Sequence, residues 1–461
     1  MRLKSEAVKQ GTDKDADSGI FMPTPFAAAF LNRRSLAAIF LTAVALLSAL
    51  TGAGYGPPIW WAGIAAWLAA LLLWGELARK QQHQALLLAG IGFLAFGVAL
   101  MRGNRPAWLG PLTQNTALLG MLASVSFLQL LGTSDDEETH LPTGKLALFR
   151  TAIGTHLLGA VINLSGLYIV AERIGAQGKP NLDQAALLSR VFLAAALWSP
   201  FFAAYAVAMT YAPGANAFGV AVSGILLALV LIGLAVHDII TASDDRALGF
   251  VGYPMQRSAF YLPGVLVLLV GAGHWLFPQW STLTVISIAA LMAVGVASIF
   301  RQGPCAGCQS IARHAGQRLP GMAGELILFL AAGCFASGLG ALIGESELWM
   351  PFTKFGTVEA ALVLAIMVVL AAIGIHAIVS ITVIATWLAP LDPSPTLLAM
   401  VFVQSWAVGL VVAPTSGTIL SIQGRYGLSA LSLVRKNFRY CLKAYAAAVF
   451  CLAIVGYCLG A

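Results

Sequence analysis

The chain has 461 residues, of which 59% are hydrophobic and only 10% are charged, and its formal net charge is +7. A soluble globular protein carries about 25% charged residues because its surface must meet water. The composition therefore excludes a soluble enzyme, a disordered protein and a nucleic-acid-binding protein. Apolar runs of roughly 18–25 residues, long enough to cross a bilayer as helices, predict an all-α polytopic membrane protein and argue against an outer-membrane barrel.

Lysine and arginine predict the orientation of the chain in an inner membrane, because basic loops stay in the cytoplasm. Residues 1–34 begin polar and carry several basic side chains, and the stretch before the first apolar run is too long for a secretory signal. We expect this segment to be a cytoplasmic tail. The same rule places the C-terminus outside.

The first repeat is predicted over residues 35–240 and begins with four ordinary spans. These are Ser35–Ala53, Pro58–Glu76, Ala85–Met101 and Leu109–Leu131. The next apolar stretch, 145–173, has basic residues on both sides, which favours a re-entrant helical hairpin that enters and leaves on the same face. One ordinary span is the alternative.

A broken span and an ordinary span complete this repeat. Trp198-Ser199-Pro200 interrupts Ala186–Tyr211, because proline removes a helical N–H and breaks or kinks a helix. Phe218–Ile240 follows as an ordinary span. A polar cytoplasmic linker is expected over residues 241–257.

The second repeat, residues 258–461, shows a related order. Three spans are followed by a second hairpin candidate over 356–390, which is too long for one untilted span and contains no lysine or arginine. A span broken at Ala413–Gly417 and a final span complete the chain. Between the second and third of these spans, Arg301–Pro320 contains three arginines and no acid and is expected to be a cytoplasmic loop.

A short echo links the two hairpin candidates. Ala152–His156 (AIGTH) reappears as Ala372–His376 (AIGIH), 220 residues later, and each hairpin candidate precedes a span broken at proline. The first hairpin would open from the cytoplasm and the second from outside. This order is typical of the inverted repeats of secondary transporters, whose solute binds near the middle of the membrane.

The candidate binding residues lie in the two hairpins and the two breaks. Broken helices expose main-chain N–H and C=O groups, and Ser, Thr and Asn add polar contacts without a buried charge. The candidates for substrate and ion contact are Gly154, Thr155, His156, Asn163, Ser165, Ser199, Pro200, Gly374, His376, Ser380, Pro414, Thr415, Ser416 and Gly417.

The order of spans, hairpins and breaks resembles the ion transporter superfamily, which includes divalent anion/sodium symporters and arsenite-type permeases. The resemblance covers about residues 35–461 and depends on this architecture and on segments such as Gly321–Leu339 and Ala413–Gly417. It implies 11 spans, a homodimer and an elevator-like motion. The Ser-Asn-Thr signatures of the symporter branch are missing, since the candidate tips read Gly154-Thr155-His156 and Gly374-Ile375-His376.

The histidines at these tips are candidate carriers of a coupling proton, because the pKa of a free histidine is about 6.5. The alternative for each is a neutral, buried side chain that bonds to a backbone carbonyl. The pair Cys305 and Cys308 could bind zinc or act in redox chemistry, but no second CxxC supplies four ligands, so free thiols are expected. No phosphate-binding GxxxxGK[ST] motif is present, so no nucleotide, metal or other cofactor is predicted.

We therefore predict a secondary active transporter, not an enzyme, that moves a small anionic solute with protons or sodium. Two other classes stay open. An intramembrane enzyme would use His156 or His376 as a base or metal ligand, and a non-transporting membrane partner or sensor would use the thiols at 305 and 308. Beyond the solute, the coupling ion, membrane lipid and a second copy of the chain, no partner is expected.

Overall fold

A computed structural model describes residues 32–104, 107–131, 141–175, 178–242, 248–254, 261–343 and 352–460. Most of the predicted N-terminal tail lies outside these ranges. The helices over the residues predicted as the first repeat are α1 (Arg33–Gly52), α2 (Trp60–Leu73), α3 (Arg79–Met101), α4 (Thr116–Ser126), α5 (Lys145–Ile162), α6 (Leu164–Ile174), α7 (Leu182–Ala194), α8 (Ala203–Tyr211) and α9 (Ala217–Ala242).

The remaining described residues form a second set of helices. They are α10 (Tyr261–Leu276), α11 (Thr282–Gln302), α12 (Pro304–Arg318), α13 (Ala323–Ile343), α14 (Thr357–Ala372), α15 (Ala377–Leu388), α16 (Pro395–Gln404), α17 (Gly417–Tyr426) and α18 (Ala430–Leu459). A four-residue helix, Gly110–Thr113, precedes α4, and a π-helical segment, Ser405–Gly409, follows α16.

The protein is an integral membrane protein built from helices. Eight helical segments of the described chain have the length and hydropathy to cross a bilayer: Arg33–Gly52, Arg79–Met101, Gly110–Leu131, Lys145–Ile162, Ala217–Thr241, Thr282–Gln302, Pro304–Leu342 and Ala430–Leu459. Five shorter apolar helices lie in α2, α10 and the regions of the second hairpin and second break. The count of 11 spans stays a prediction.

Glycines allow α3 and α13 to pack at very short range. A Cβ on Gly92 would lie 2.6 Å from the carbonyl carbon of Cys334, and a Cβ on Gly338 would overlap the carbonyl oxygen of Gly92. Any larger side chain at this crossing would push the two helices apart. In membranes, small residues let helix backbones approach in this way and gain van der Waals contact. The crossing joins helices that lie far apart in the sequence.

The expectation that Arg301–Pro320 is a loop is wrong. Residues Pro304–Arg318 form α12, which starts with proline in its first turn after Gly303 at φ 80°. Proline suits this position because its missing N–H has no helical partner there. Gly307 faces the backbone of α11, where a Cβ would lie 2.8 Å from the Ser298 oxygen. A basic segment without acids therefore forms a helix packed on its neighbour.

The linker between the repeats is bonded to the start of α5. Of the predicted linker 241–257, the structure describes 241–242, which belong to α9, and 248–254. Val251 pairs with Thr143 in an isolated antiparallel bridge, and the Gly252 N–H donates to Pro142 O at 2.8 Å. The N–H of Tyr253 donates to Thr151 Oγ1 at 2.7 Å. The described part of the linker is thus packed against α5.

Candidate functional site

The first hairpin candidate turns at Asn163. This residue separates α5 from α6 with φ 54° and ψ −140°, a backbone conformation outside the left-handed helical region that residues other than glycine rarely adopt. Gly166 then lies against the backbone of α5, since a Cβ there would stand 2.8 Å from the Gly159 nitrogen. The α6 helix therefore folds back on α5, and Ser165 lies in its first turn.

The assignment of the first tip to Gly154-Thr155-His156 is wrong. All three residues are buried inside the continuous helix α5. Thr155 Oγ1 donates to Thr151 O at 2.7 Å, a bond along the same helix. A single glycine does not end a helix in a long apolar run, and no proline or second glycine stands next to it. The sequence echo with 372–376 therefore marks different positions in the two hairpins.

Both ring nitrogens of His156 have partners. Trp198 donates its indole N–H to Nε2 at 2.9 Å, and Nδ1 lies 2.9 Å from the Val191 carbonyl oxygen. Nε2 accepts, so Nδ1 carries the proton and the ring is neutral. His156 is 6% exposed and joins α5, α7 and the first break.

Ser199 and Pro200 interrupt the first broken span. Helix α7 ends at Ala194, and after one 3-10 turn, Ala195–Leu197, helical structure resumes at Ala203 in α8. Proline disfavours helical geometry in the residue before it and offers no N–H of its own. Ser199 Oγ donates to the Ala160 carbonyl oxygen and accepts from the Phe201 N–H.

Asn163 completes the polar contacts between this break and the first hairpin. Its side-chain amide donates to Phe201 O at 3.3 Å. The N-terminus of α6 and the N-terminus of α8 therefore lie close to the same small group of residues. Both helix ends carry partial positive charge.

In the second hairpin candidate, α14 ends at a glycine cap. Gly374 has φ 98°, and its N–H donates to Ala371 O at 2.9 Å while the Ile375 N–H donates to Leu370 O at 2.9 Å. These two bonds form a Schellman motif, which ends helices at a glycine in a left-handed conformation. The next helix, α15, begins at Ala377, three residues after Gly374.

His376 caps the start of α15. Its Nδ1 accepts from the Ile378 N–H at 3.3 Å, so in the neutral ring the proton sits on Nε2. No described residue bonds to Nε2. The Trp406 ring lies edge-on to the imidazole at 5.8 Å between centroids. His156 with Trp198 and His376 with Trp406 thus each join a hairpin candidate to the broken span that follows it. Ser380, one turn into α15, donates back to Ala377 O at 3.0 Å.

The second hairpin contacts the second break through Thr415. Thr415 Oγ1 donates to Gly374 O at 3.1 Å. Because Ser416 caps α17 by accepting from Ile419 N, this bond brings the N-termini of α15 and α17 together. Pro414 lies just before them, and Gly417 is the first residue of α17.

Side chains bond to the carbonyl groups that the second break exposes. Beyond the π-helical segment Ser405–Gly409, the chain is irregular until Ser416. Asn437 donates to Val411 O at 2.9 Å, and Ser416 Oγ donates to Leu410 O at 3.2 Å. A buried C=O without such a partner would be costly. Side-chain hydrogen bonds therefore stabilise the irregular backbone of the second break.

The two breaks contact each other. The 3-10 turn Ala195–Leu197 packs against the π-helical segment Ser405–Gly409, and each break also contacts the hairpin of its own repeat. The predicted site residues accordingly form two clusters, one around each hairpin candidate, that meet through the broken spans. Gly154, Thr155 and His156 belong to the packing behind the first cluster rather than to its tip.

Gln404, the last residue of α16, is not among the residues that the sequence predicts for the site. Its side chain is fully buried, and neither its amide nitrogen nor its amide oxygen has a hydrogen-bond partner among the described residues. Buried polar groups are nearly always bonded, so an unpaired amide next to a helix break requires an explanation. The available signal was one amide in the otherwise apolar run Leu397–Gly409, directly before the break.

A buried arginine network was also missed. Arg190 is only 3% exposed in α7. Its guanidinium donates to Asn437 Oδ1 at 2.8 Å and to Asp238 Oδ2 at 3.2 Å, and it lies over the Tyr440 ring. Asp238 also pairs with Lys443 at 2.6 Å. Because Asn437 bonds to Val411 as well, the network links α7, α9 and α18 to the second break.

The fold has a solved counterpart. The chain matches no family model, and no curated protein matches its sequence. It is similar to the crystal structure of the YdaH transporter of Alcanivorax borkumensis, with a TM-score of 0.51 and 14% sequence identity. The similarity covers 81% of this chain and 98% of the other. At this level of identity the likeness concerns the fold alone.

The thiols and acids of the described residues do not gather into a metal site. Among those residues, no group of three or more His, Cys, Asp or Glu side chains lies close enough to hold a metal ion. Cys305 and Cys308 are exposed in the first turn of α12. The described chemistry of the two clusters is therefore that of main-chain groups, hydroxyls, amides and imidazole.

Proposed function

We propose that this protein is a secondary active transporter of the inner membrane that moves a small anionic solute and is driven by a proton gradient or a sodium gradient. The observation that carries the proposal is the unpaired, fully buried Gln404 where the two broken spans meet. A solute that leaves water needs polar partners inside the membrane. A free amide in the core offers both a donor and an acceptor for such a solute.

The helix ends support an anionic solute. In each repeat, the returning hairpin helix and the second part of the broken span begin close to each other, at α6 and α8 and at α15 and α17. Helix N-termini carry partial positive charge and unbonded N–H groups, which suit carboxylate or other oxyanions. The buried Arg190 is already paired with Asp238, so we assign the attraction for the anion to the helix N-termini and not to this guanidinium.

Of the two coupling ions, the cap of α15 favours the proton. Neutral His376 accepts the Ile378 N–H through Nδ1, and protonation of that nitrogen would remove the acceptor. Proton binding would therefore loosen the start of α15 next to Gly374 and Thr415. The two hairpins would dip into the membrane from opposite faces. They would move with the broken spans against the remaining helices, in a homodimer whose N-termini face the cytoplasm.

A solute panel tests this proposal. Thermal unfolding of the purified protein would be measured with small carboxylates and oxyanions, with and without sodium and at two pH values, for wild type and Gln404→Leu. We expect at least one anion to raise the unfolding temperature of wild type but not that of Gln404→Leu. The same anion should be taken up by proteoliposomes that contain wild type and not by those that contain the variant. Uptake that is unchanged in Gln404→Leu would refute the site.

Two controls complete the panel. Gln309→Leu changes an exposed glutamine of α12 and should leave both solute stabilisation and uptake intact. Uptake that depends on sodium and is unaffected by pH would show that the coupling ion is sodium and not the proton. If no anion stabilises wild type and none is taken up, the transporter proposal itself fails.

A further inference from the structure

A second site lies between the first hairpin and two helices of the second repeat. A cavity of about 590 Å³ is bounded by α5, α10 and α11. Its walls are almost entirely apolar and include Leu158 and Ile162 on α5, Val265 on α10 and Ala297 on α11. This volume falls within the roughly 300–1,000 Å³ of ordinary ligand sites.

The cavity opens toward the lipid-facing surface. Met292 and Val296 of α11 both line it and are 59% and 51% exposed, and Val265 on the opposite wall is 51% exposed. Water would find almost no polar partners there, and a buried water needs two to four of them. Hydrocarbon is the matching occupant for a space of this chemistry inside a bilayer.

The chemistry changes at one end of the cavity. Arg301, at the C-terminal end of α11, lines it together with Tyr261, the first residue of α10. Arg301 is exposed, and no described carboxylate pairs with it. The adjoining segment 301–320 adds Arg313 and Arg318 and contains no acid. An apolar slot that ends at a cation without a described carboxylate partner matches the shape of a lipid with an anionic head group.

We infer that this cavity is a specific phospholipid site. One acyl chain lies between α5 and the α10–α11 pair and reaches Ile162, next to the turn at Asn163. The phosphate of an anionic head group lies against Arg301, with the Tyr261 hydroxyl available as a donor. The lipid fills the gap between the first hairpin and its neighbours, whatever solute the protein carries.

Native mass spectrometry of the full-length protein tests the site. The protein would be extracted into detergent and exposed to vesicles of phosphatidylglycerol or of phosphatidylcholine, and retained lipid would be counted. Wild type should retain phosphatidylglycerol in preference to phosphatidylcholine. Arg301→Gln should reduce this preference about 5-fold, the effect of one cation at an anionic membrane surface. Arg33→Gln, which removes an exposed arginine at the start of α1, should not.

A second experiment fills the cavity with a large side chain and measures lipid retention in the same way. Ala297→Trp should abolish retention, whereas Leu94→Trp, on an exposed position of α3 outside the cavity, should leave it at the wild-type level. Val265→Trp, from the opposite wall, serves if Ala297→Trp does not fold. Equal retention of both lipids by wild type would overturn the inference, as would full retention in the filled variants. A change from dimer to monomer in Ala297→Trp without loss of lipid would assign the cavity to a second copy of the chain instead.

Discussion

Trp198 and His156 form a hydrogen-bonded pair in which the indole donates to Nε2 at 2.9 Å and leaves the imidazole neutral. We expect Trp198→Phe to lower the free energy of unfolding by about 1–2 kcal/mol, because Nε2 would be buried without a donor. Thermal unfolding in detergent measures this loss. Trp275→Phe is the control, since Trp275 is 82% exposed. Equal effects of the two substitutions would contradict the role of the pair.

A substitution at Gln404 should have the opposite effect on stability to Trp198→Phe. Replacing an unpaired buried amide by an apolar side chain of similar size should stabilise the protein without solute by up to about 1–3 kcal/mol. Gln184 is nearly as buried, but its side-chain amide nitrogen donates to Ile174 O at 3.1 Å and its side-chain oxygen accepts from the Asn181 N–H. Gln184→Leu should therefore lower the unfolding temperature, whereas Gln404→Leu should keep or raise it. A loss in Gln404→Leu as large as that in Gln184→Leu would show that the amide has a structural partner.

His376 can be tested by separating its two roles. Asparagine can cap a helix but cannot titrate, whereas alanine can do neither. We expect His376→Asn to remain folded and to lose the pH dependence of uptake in proteoliposomes. His376→Ala should lose uptake altogether and also some stability. Uptake by His376→Asn with the wild-type pH profile would remove the histidine from proton coupling.

The crossing of α3 and α13 predicts a large difference between two neighbouring glycines. Gly338→Ala places a methyl group on the Gly92 carbonyl oxygen and should cost about 1–3 kcal/mol or more, as overpacking does. Gly340 has open space around its Cβ position. Gly340→Ala should thus be neutral or slightly stabilising. The yield of monodisperse protein and its unfolding temperature measure both, and equal values for the two variants would refute the tight crossing.

The buried ion pair should matter far more than an exposed one. Asp238→Asn leaves Arg190 without its carboxylate and should destabilise the protein by about 3–5 kcal/mol. The pair Arg425 and Glu172 is half exposed, so Glu172→Gln should change stability by about 0–1 kcal/mol. Thermal unfolding compares the two variants directly. A small effect of Asp238→Asn would mean that Asn437 and the Lys436 carbonyl suffice for the guanidinium.

Hydropathy and proline account for what the sequence predicts well. Long apolar runs predict the membrane helices, and Pro200 and Pro414 mark the two breaks, because a missing N–H has the same effect in any fold. The echo between residues 152–156 and 372–376 predicts the wrong tip for the first hairpin, because similar letters need not share the same backbone geometry. Asn163 turns the chain with a positive φ, and nothing in the spacing of apolar residues distinguishes that position from its neighbours.

The rest of the candidate site depends on contacts between distant segments. Arg190 and Asn437 are 247 positions apart, and Gln404 is notable only because no described side chain reaches it. Local sequence patterns carry no information about either fact. The same holds for α12, whose charges predicted the side of the membrane but not the helix.

The bonds from residues 248–254 to Pro142, Gly144 and Thr151 tie the crossover between the repeats to the root of the first hairpin. If that hairpin shifts, residues 248–254 must move with it or these hydrogen bonds must break. Movement of the first hairpin would then be coupled to the described part of the linker through hydrogen bonds of the main chain, without any direct contact between more distant side chains.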